Sequence, residues 1–263
     1  MLKTRFRFYL NELYFFILKE ARASLFAGLF LFLLIITNYI HFSFIGRADF
    51  LFLAAIFIQL VMVWTKLETV DEAKTIFLFH IIGLVLELYK THPSIGSWTY
   101  PEVGSFHIYG VPLYSGFMYA SIGSYIAQAW KILKVKLENM PSYSLSLLFS
   151  ILIYLNFFTN HFFFDVRWFL IIVILIFYWK TKVIFIITST PHKISLNLSF
   201  VLIAFFIWIA ENIGTFTKAW QYPNQVTTWS TVSLHKVSSW SLLVIISFLL
   251  IAYLKHVKAG RVK

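Results

Sequence analysis

The sequence predicts an all-α, polytopic transmembrane bundle of about eight spans, on three observations. Apolar residues fill 60% of the 263 positions and charged residues only 13%, against roughly 45–50% and 25% in a soluble domain. The apolar residues fall in runs close to the roughly 20 needed to cross a bilayer. The 22 Lys and Arg residues divide unevenly between the two sets of loops. One residue in five is aromatic, with thirty Phe, fourteen Tyr and nine Trp. A water-soluble fold of this size has no interior large enough for that much apolar surface. A soluble enzyme and a disordered chain are therefore excluded. A disulfide scaffold is excluded by the absence of cysteine.

The first 22 residues are too charged for a cleavable signal peptide. Leu2, Phe6, Tyr9, Leu10, Leu13, Phe16 and Ile17 recur at helical spacing, and Lys3, Arg7 and Asn11 take another face. That pattern predicts an amphipathic helix lying on the cytoplasmic leaflet. Spans are then expected near 23–41, 46–64, 74–90, 108–130, 143–164, 167–187, 194–214 and 236–254. The second is short over 50–64, which fits a near-perpendicular helix or a thinned bilayer. In the fourth, Pro112 is expected in the first turn, and Gly116, Ala120 and Ser124 form a small-residue stripe for helix packing. The sixth has two readings. The run from Trp168 to Trp179 either recruits Val183 to Ile187, with Lys180 and Lys182 snorkelling, or ends as a short helix before a cytoplasmic hairpin.

With the N-terminus inside, 17 basic residues lie on the inner side. Five lie outside: Arg47, Lys90, Arg167, Lys218 and Lys236. The positive-inside rule then places both termini in the cytoplasm of a cell-membrane protein. The net charge of +11 is mostly this topology signal. No basic folded domain is present to suit a nucleic-acid partner.

The chain carries an internal duplication. Thr37-Asn38 recurs as Thr159-Asn160, and Trp98-Thr99-Tyr100-Pro101 as Trp220-Gln221-Tyr222-Pro223, each 122 residues on. Glu87 recurs as Glu211, 124 residues on. The expected division is an interfacial helix over 1–22, a first half-repeat over 23–138 and a second over 139–263. Four spans per half give both halves the same orientation, a parallel repeat about the membrane normal.

Carboxylates inside spans are costly and are functional candidates. Only Glu87 and Glu211 qualify, and each precedes a loop that ends in Trp-x-Tyr-Pro. They are the candidate catalytic pair. Asn38, His80, Trp98, Tyr100, Asn160, His161, Trp220 and Tyr222 are the candidate substrate-binding residues around them. The structural alternative pairs Glu87 with Lys90 and leaves Glu211 to cap or hydrogen-bond within its loop. His41, His92, His107, His161 and His235 fall on the outer side with Glu102 and Asp165, but without a recognised metal-ligand spacing. No metal or cofactor is called for. The phosphate-loop and Gly-x-Ser-x-Gly patterns are absent, and three aspartates in all cannot build an Asp-rich magnesium–diphosphate site.

Two stretches carry a resemblance. One runs from Glu87 through Ser94-Ile95-Gly96-Ser97-Trp98-Thr99-Tyr100-Pro101 to Tyr109-Gly110-Val111-Pro112-Leu113-Tyr114. The other runs from Ile209-Ala210-Glu211-Asn212-Ile213-Gly214-Thr215-Phe216 through Ala219-Trp220-Gln221-Tyr222-Pro223. Together they resemble the uncharacterised bacterial integral membrane family typified by YoaT, over nearly the whole chain. That resemblance implies the cytoplasmic membrane and no assigned activity. A looser one covers the third and fourth spans alone. Glu87, Gly96-x-Trp-x-Tyr100 and Gly110-Val111-Pro112-Leu113 are similar to membrane carotenoid hydratases, with Trp98 where those carry Tyr. It implies hydration of an alkene. Glutamate acid catalysis on a lipid or isoprenoid is therefore the first functional expectation. The alternatives are a proton-coupled small-molecule transporter and a non-catalytic membrane sensor or scaffold.

Overall fold

The computed structural model describes residues 2–40 and 42–261, and the side chains of residues 6–40 and 42–256. His41 and the side chains of Leu2 and Lys3 lie outside them. An amphipathic helix α1, Leu2–Ala23, meets α2, Leu25–Tyr39, at an angle of 71°. Then follow α3 (Arg47–Trp64), α4 (Val70–Lys90) and α5 (Ser115–Ile132), with α6 (Tyr143–Thr159), α7 (Arg167–Phe177), α8 (Leu196–Phe216) and α9 (Lys236–Arg261) completing the bundle.

The exterior is apolar along these helices. Phe57 on α3, Phe77 on α4 and Phe206 on α8 are all 60% or more exposed. Water does not tolerate such a belt on a monomer, whereas lipid does. Among the described residues three helices, α3, α8 and the Lys236–His256 part of α9, are long and apolar enough to cross a membrane, or up to four spans if α1 and α2 count as one broken span. These features mark a membrane protein.

The helices sit where the apolar runs predict them, with two corrections. Pro112 is not in a helix turn. It belongs to a two-residue strand β2 (Val111–Pro112) that pairs with β1 (His107–Ile108), and α5 starts three residues later. The sixth run follows the hairpin reading. Helix α7 stops at Phe177, and Lys182–Ile186 forms strand β4 between β3 (Lys136–Glu138) and β5 (Pro191–Ser195), antiparallel to both. A helix continued through Lys180 and Lys182 would draw two ammonium groups toward hydrocarbon. The β-branched and aromatic run Val183-Ile184-Phe185-Ile186 instead finds its hydrogen bonds in a sheet.

Helix α1 is fastened to that sheet. Glu12 accepts a hydrogen bond from Thr188 and pairs with His192 at 2.8 Å, and Lys19 Nζ reaches the Ile186 carbonyl at 3.1 Å. The Thr188 hydroxyl, more than His192, holds the Glu12 carboxyl below the usual range against the opposing effect of burial. On the far side of α1, Tyr125 donates to Glu20 at 2.9 Å.

Glycines bring α4 and α5 close together. A Cβ on Gly83 would stand 2.4 Å from the Tyr119 ring, and one on Gly116 would stand 2.6 Å from His80 Nδ1. Gly116 is part of the predicted small-residue stripe; its neighbours Ala120 and Ser124 are fully buried, and Ser124 donates to Glu68. The apolar core is split in two. One cluster gathers Phe26, Phe30, Leu34, Leu51 and Ile76, and the other Ile153, Phe157, Ile174, Phe200 and Leu242. Between the halves runs a cavity.

Candidate functional site

The two Trp-x-Tyr-Pro corners meet face to face. Thr99 and Gln221, the middle residues, exchange both backbone hydrogen bonds at 2.9 Å, an isolated antiparallel bridge. Each corner then carries aromatic donors back onto the glutamate of its own half. Glu87 Oε2 accepts from Trp98 Nε1 at 2.7 Å and from the Tyr100 hydroxyl at 2.6 Å, and Oε1 accepts from the Tyr119 hydroxyl at 2.7 Å. Glu211 accepts from Tyr222 through Oε1 and from Trp240 Nε1 at 2.6 Å through Oε2. Both glutamates are 2% exposed. Burial raises the Tyr100 and Tyr222 hydroxyls well above the usual tyrosine range, so both remain donors.

The cages interlock. The Trp98 ring meets the Tyr222 ring edge-on at 6.2 Å, and Tyr119 meets Trp240 at 6.4 Å. Lys236 Nζ stands 4.3 Å from the Tyr222 ring centre and 5.9 Å from that of Trp98. The symmetry is incomplete at one place. Trp98 reaches its glutamate, whereas Trp220 lies on Gly214, where a Cβ would come within 2.1 Å of the indole.

Glu87 and Glu211 both line the cavity, whose volume is about 890 Å³. It runs from the corners, past Leu86, Ile122, Phe157 and Leu243, to Phe16, Val183 and Phe185 beside the sheet. Its walls are mostly apolar side chains; Glu87, Lys90, Asn160, His161, Arg167, Glu211 and Lys236 stand at the corner end, and Glu20, Ser24, Ser121 and Ser199 are polar groups elsewhere along it. A volume of this order suits one small ligand.

Of the predicted binding residues, Trp98, Asn160, His161, Trp220 and Tyr222 line this cavity. Tyr100 stands behind Glu87, buried at 8% exposure. The structure does not bring the other two to it. Asn38 is half-buried on α2 and lines no part of the cavity. His80 packs on Phe117 at 4.4 Å, away from the cavity, with Nδ1 unpartnered. The predicted structural pairing of Glu87 with Lys90 is replaced. Lys90 Nζ donates to Asn160 Oδ1 at 3.2 Å and lies 2.8 Å from His161 Nε2. Among the described residues no three of His, Asp and Glu lie together as metal ligands.

Sequence reasoning missed Tyr119, the third donor on Glu87, and Trp240, the second on Glu211. They stand 121 residues apart, so the duplication offset is the signal that finds them. It also missed that Lys90, Arg167 and Lys236 line the cavity.

A family model described as Protein of unknown function (DUF817) matches residues 12–248. The chain belongs to this family. It is also 52% identical over 240 residues to the Uncharacterized protein YoaT of Bacillus subtilis (strain 168), covering 91% of this chain and 90% of that protein. No solved structure matches it. The DUF817 match takes in every residue lining the cavity, from Phe16 to Phe248.

Proposed function

We propose that this DUF817 chain is a multi-pass cytoplasmic-membrane enzyme that acts on a lipid or isoprenoid by glutamate acid catalysis. The observation that carries the reading is the pair of caged carboxyl groups at the polar end of one apolar cavity. An apolar ligand would lie along Leu86, Ile122 and Leu243 with its reacting end at the corners.

Hydration of an alkene fits these groups. A glutamic acid gives its proton to one alkene carbon, and the π electrons become the new C–H bond. The cation left on the adjacent carbon faces the Trp98 and Tyr222 rings, whose π faces attract positive charge. Water oxygen bonds to that carbon, and the proton that water loses returns to a glutamate. Glu87 and Glu211 are both placed for these transfers, and proton transfer by a positioned group contributes about 10²–10⁴-fold. Incubating the purified protein with extracted membrane lipids in H₂¹⁸O tests this reading. One lipid species should gain the mass of one labelled water. Turnover without label, or no mass gain in any lipid, contradicts the reaction.

Eight spans, α2 to α9, with α1 on the cytoplasmic surface form the topology of this proposal. The two halves over 23–138 and 139–263 are then parallel repeats. Support comes from the 17-to-5 division of basic residues, from the paired corners, and from donors at matching offsets on both glutamates. The native chain has no thiol. Single cysteines at Ser105 and Thr227, both exposed, should react with an impermeant reagent on whole cells. One at exposed Lys136 should react only after lysis. Labelling of Lys136→Cys on intact cells would reverse the orientation.

A further inference from the structure

The corner end of the cavity holds more cations than its hydrogen bonds employ. Lys90, at the end of α4, is 6% exposed and has three N–H donors. Its neighbours Asn160 and His161 are uncharged or weakly basic groups. Lys236 begins α9 and is held by two aromatic faces. Arg167 begins α7 and pairs through Nη2 with Asp165 at 3.1 Å, but its buried Nε has no partner. All three line the cavity. Lys90 feels repulsion from both Lys236 and Arg167, and Lys236 feels repulsion from Arg167.

Among the described residues neither Lys90 nor Lys236 forms an ion pair. Glu211 attracts Lys236 and Asp165 attracts Lys90, each without closing to an ion pair. Glu87 and Glu211 spend their oxygens on aromatic donors, and the third cavity glutamate, Glu20, accepts from Tyr125. Ammonium groups withdrawn from water with no counter-charge in direct contact are unfavourable, and a bound anion lowers that penalty. Two helix N-termini, those of α7 and α9, add positive potential at the same place. Three cations and two helix ends suit a multiply charged group, and phosphate carries about −1.5 to −2 near neutral pH.

We propose that Lys90, Arg167 and Lys236 form an anion subsite for the phosphate-type headgroup of a long-chain lipid whose tail occupies the apolar length of the cavity. The inference rests on the lipid reading above and narrows it to an anionic amphiphile. Lys90 and Arg167 hold the headgroup by direct N–H donation from the α4 and α7 sides. Lys236 closes it from α9, beside the rings that face the reacting carbon.

The test uses the full-length protein in detergent, with binding followed by tryptophan fluorescence and native mass spectrometry. The probes are hexadecyl phosphate, hexadecanol and inorganic phosphate. Hexadecyl phosphate should bind at least about tenfold more tightly than hexadecanol, the size of one charge-assisted hydrogen bond. The pair Lys90→Gln with Lys236→Gln should remove most of that difference and leave hexadecanol binding alone. If the pair fails to fold, Lys236→Gln alone should remove part of it, because this half-buried side chain touches only ring faces and Gln keeps most of its apolar stem. Equal binding of the two amphiphiles overturns the subsite but not the lipid cavity. Binding of neither overturns both. If inorganic phosphate displaces hexadecyl phosphate at equal concentration, the anion is free phosphate and the headgroup assignment fails.

Discussion

Replacing Glu87 with Leu is expected to destabilise the protein by at least about 3 kcal/mol, because it leaves three buried donors without an acceptor, each worth about 1–3 kcal/mol. Trp98 Nε1–H, Tyr100 O–H and Tyr119 O–H all end on this one carboxyl. The indole has no other way to be satisfied, since it only donates. Glu87→Gln is expected to behave differently. An amide oxygen placed at Oε2 still accepts from Trp98 and Tyr100, and the amide N–H₂ faces a Tyr119 hydroxyl that rotates to accept. The same logic holds at Glu211, with the amide oxygen toward Trp240 and the N–H₂ toward Tyr222. Gln variants should therefore fold normally in a thermal or SDS unfolding assay. Each should lose about 10²–10⁴-fold in labelled-water turnover, because an amide does not donate a proton as an acid. A Gln variant that folds and keeps full turnover would reduce the glutamates to anchors of the corners.

Arg47→Met is the second large effect expected, and it concerns how the halves are held together. The Arg47 guanidinium donates to the Thr217 carbonyl at 2.8 Å, the Leu34 carbonyl at 3.0 Å and the Thr37 hydroxyl at 3.1 Å. Thr217 caps α8 just before the second corner, so one side chain joins α2 and α3 to the far half. Charge-assisted hydrogen bonds contribute about 1.5–3 kcal/mol each, and the carbonyls at helix ends have few other partners. A loss of roughly 2–5 kcal/mol in SDS unfolding is expected. Turnover should fall less in the folded fraction than it does in the Gln variants. A change below about 0.5 kcal/mol would show that the halves are joined by the corners and apolar packing alone.

The helices were legible because each is a long apolar run, and the lipid solvent leaves a helix as the way to satisfy its backbone. The sixth run shows the limit. Eleven helical residues, Arg167–Phe177, are followed by a strand whose partners lie more than 40 positions back and about 10 ahead, so only the hairpin alternative in the sequence reading pointed there. Within the site, Glu87, Glu211 and the two corners were legible through repetition. Asn38 also repeats, as Asn160, yet only Asn160 reaches the cavity. Recurrence at a fixed offset matches residue types and not the direction of a side chain. His80 lies seven residues before Glu87, two turns along the same face of α4, but the close approach of Gly116 and Phe117 makes that position core. Lys90, Arg167 and Lys236 read in the sequence as outer-loop charges. Their convergence depends on how α4, α7 and α9 end around one cavity.

The central claim is that one apolar cavity, polar at the end where the two glutamates meet, holds a long-chain molecule. Its most direct test is mass spectrometry of what is extracted from the protein purified from its native membrane. The account predicts a long-chain or isoprenoid amphiphile at close to one per chain, depleted when Leu86 and Leu243 on the cavity wall are each replaced by Trp. Extracts that hold only bulk phospholipid in proportion to the membrane, or a small polar solute in place of a lipid, would contradict it and favour a carrier.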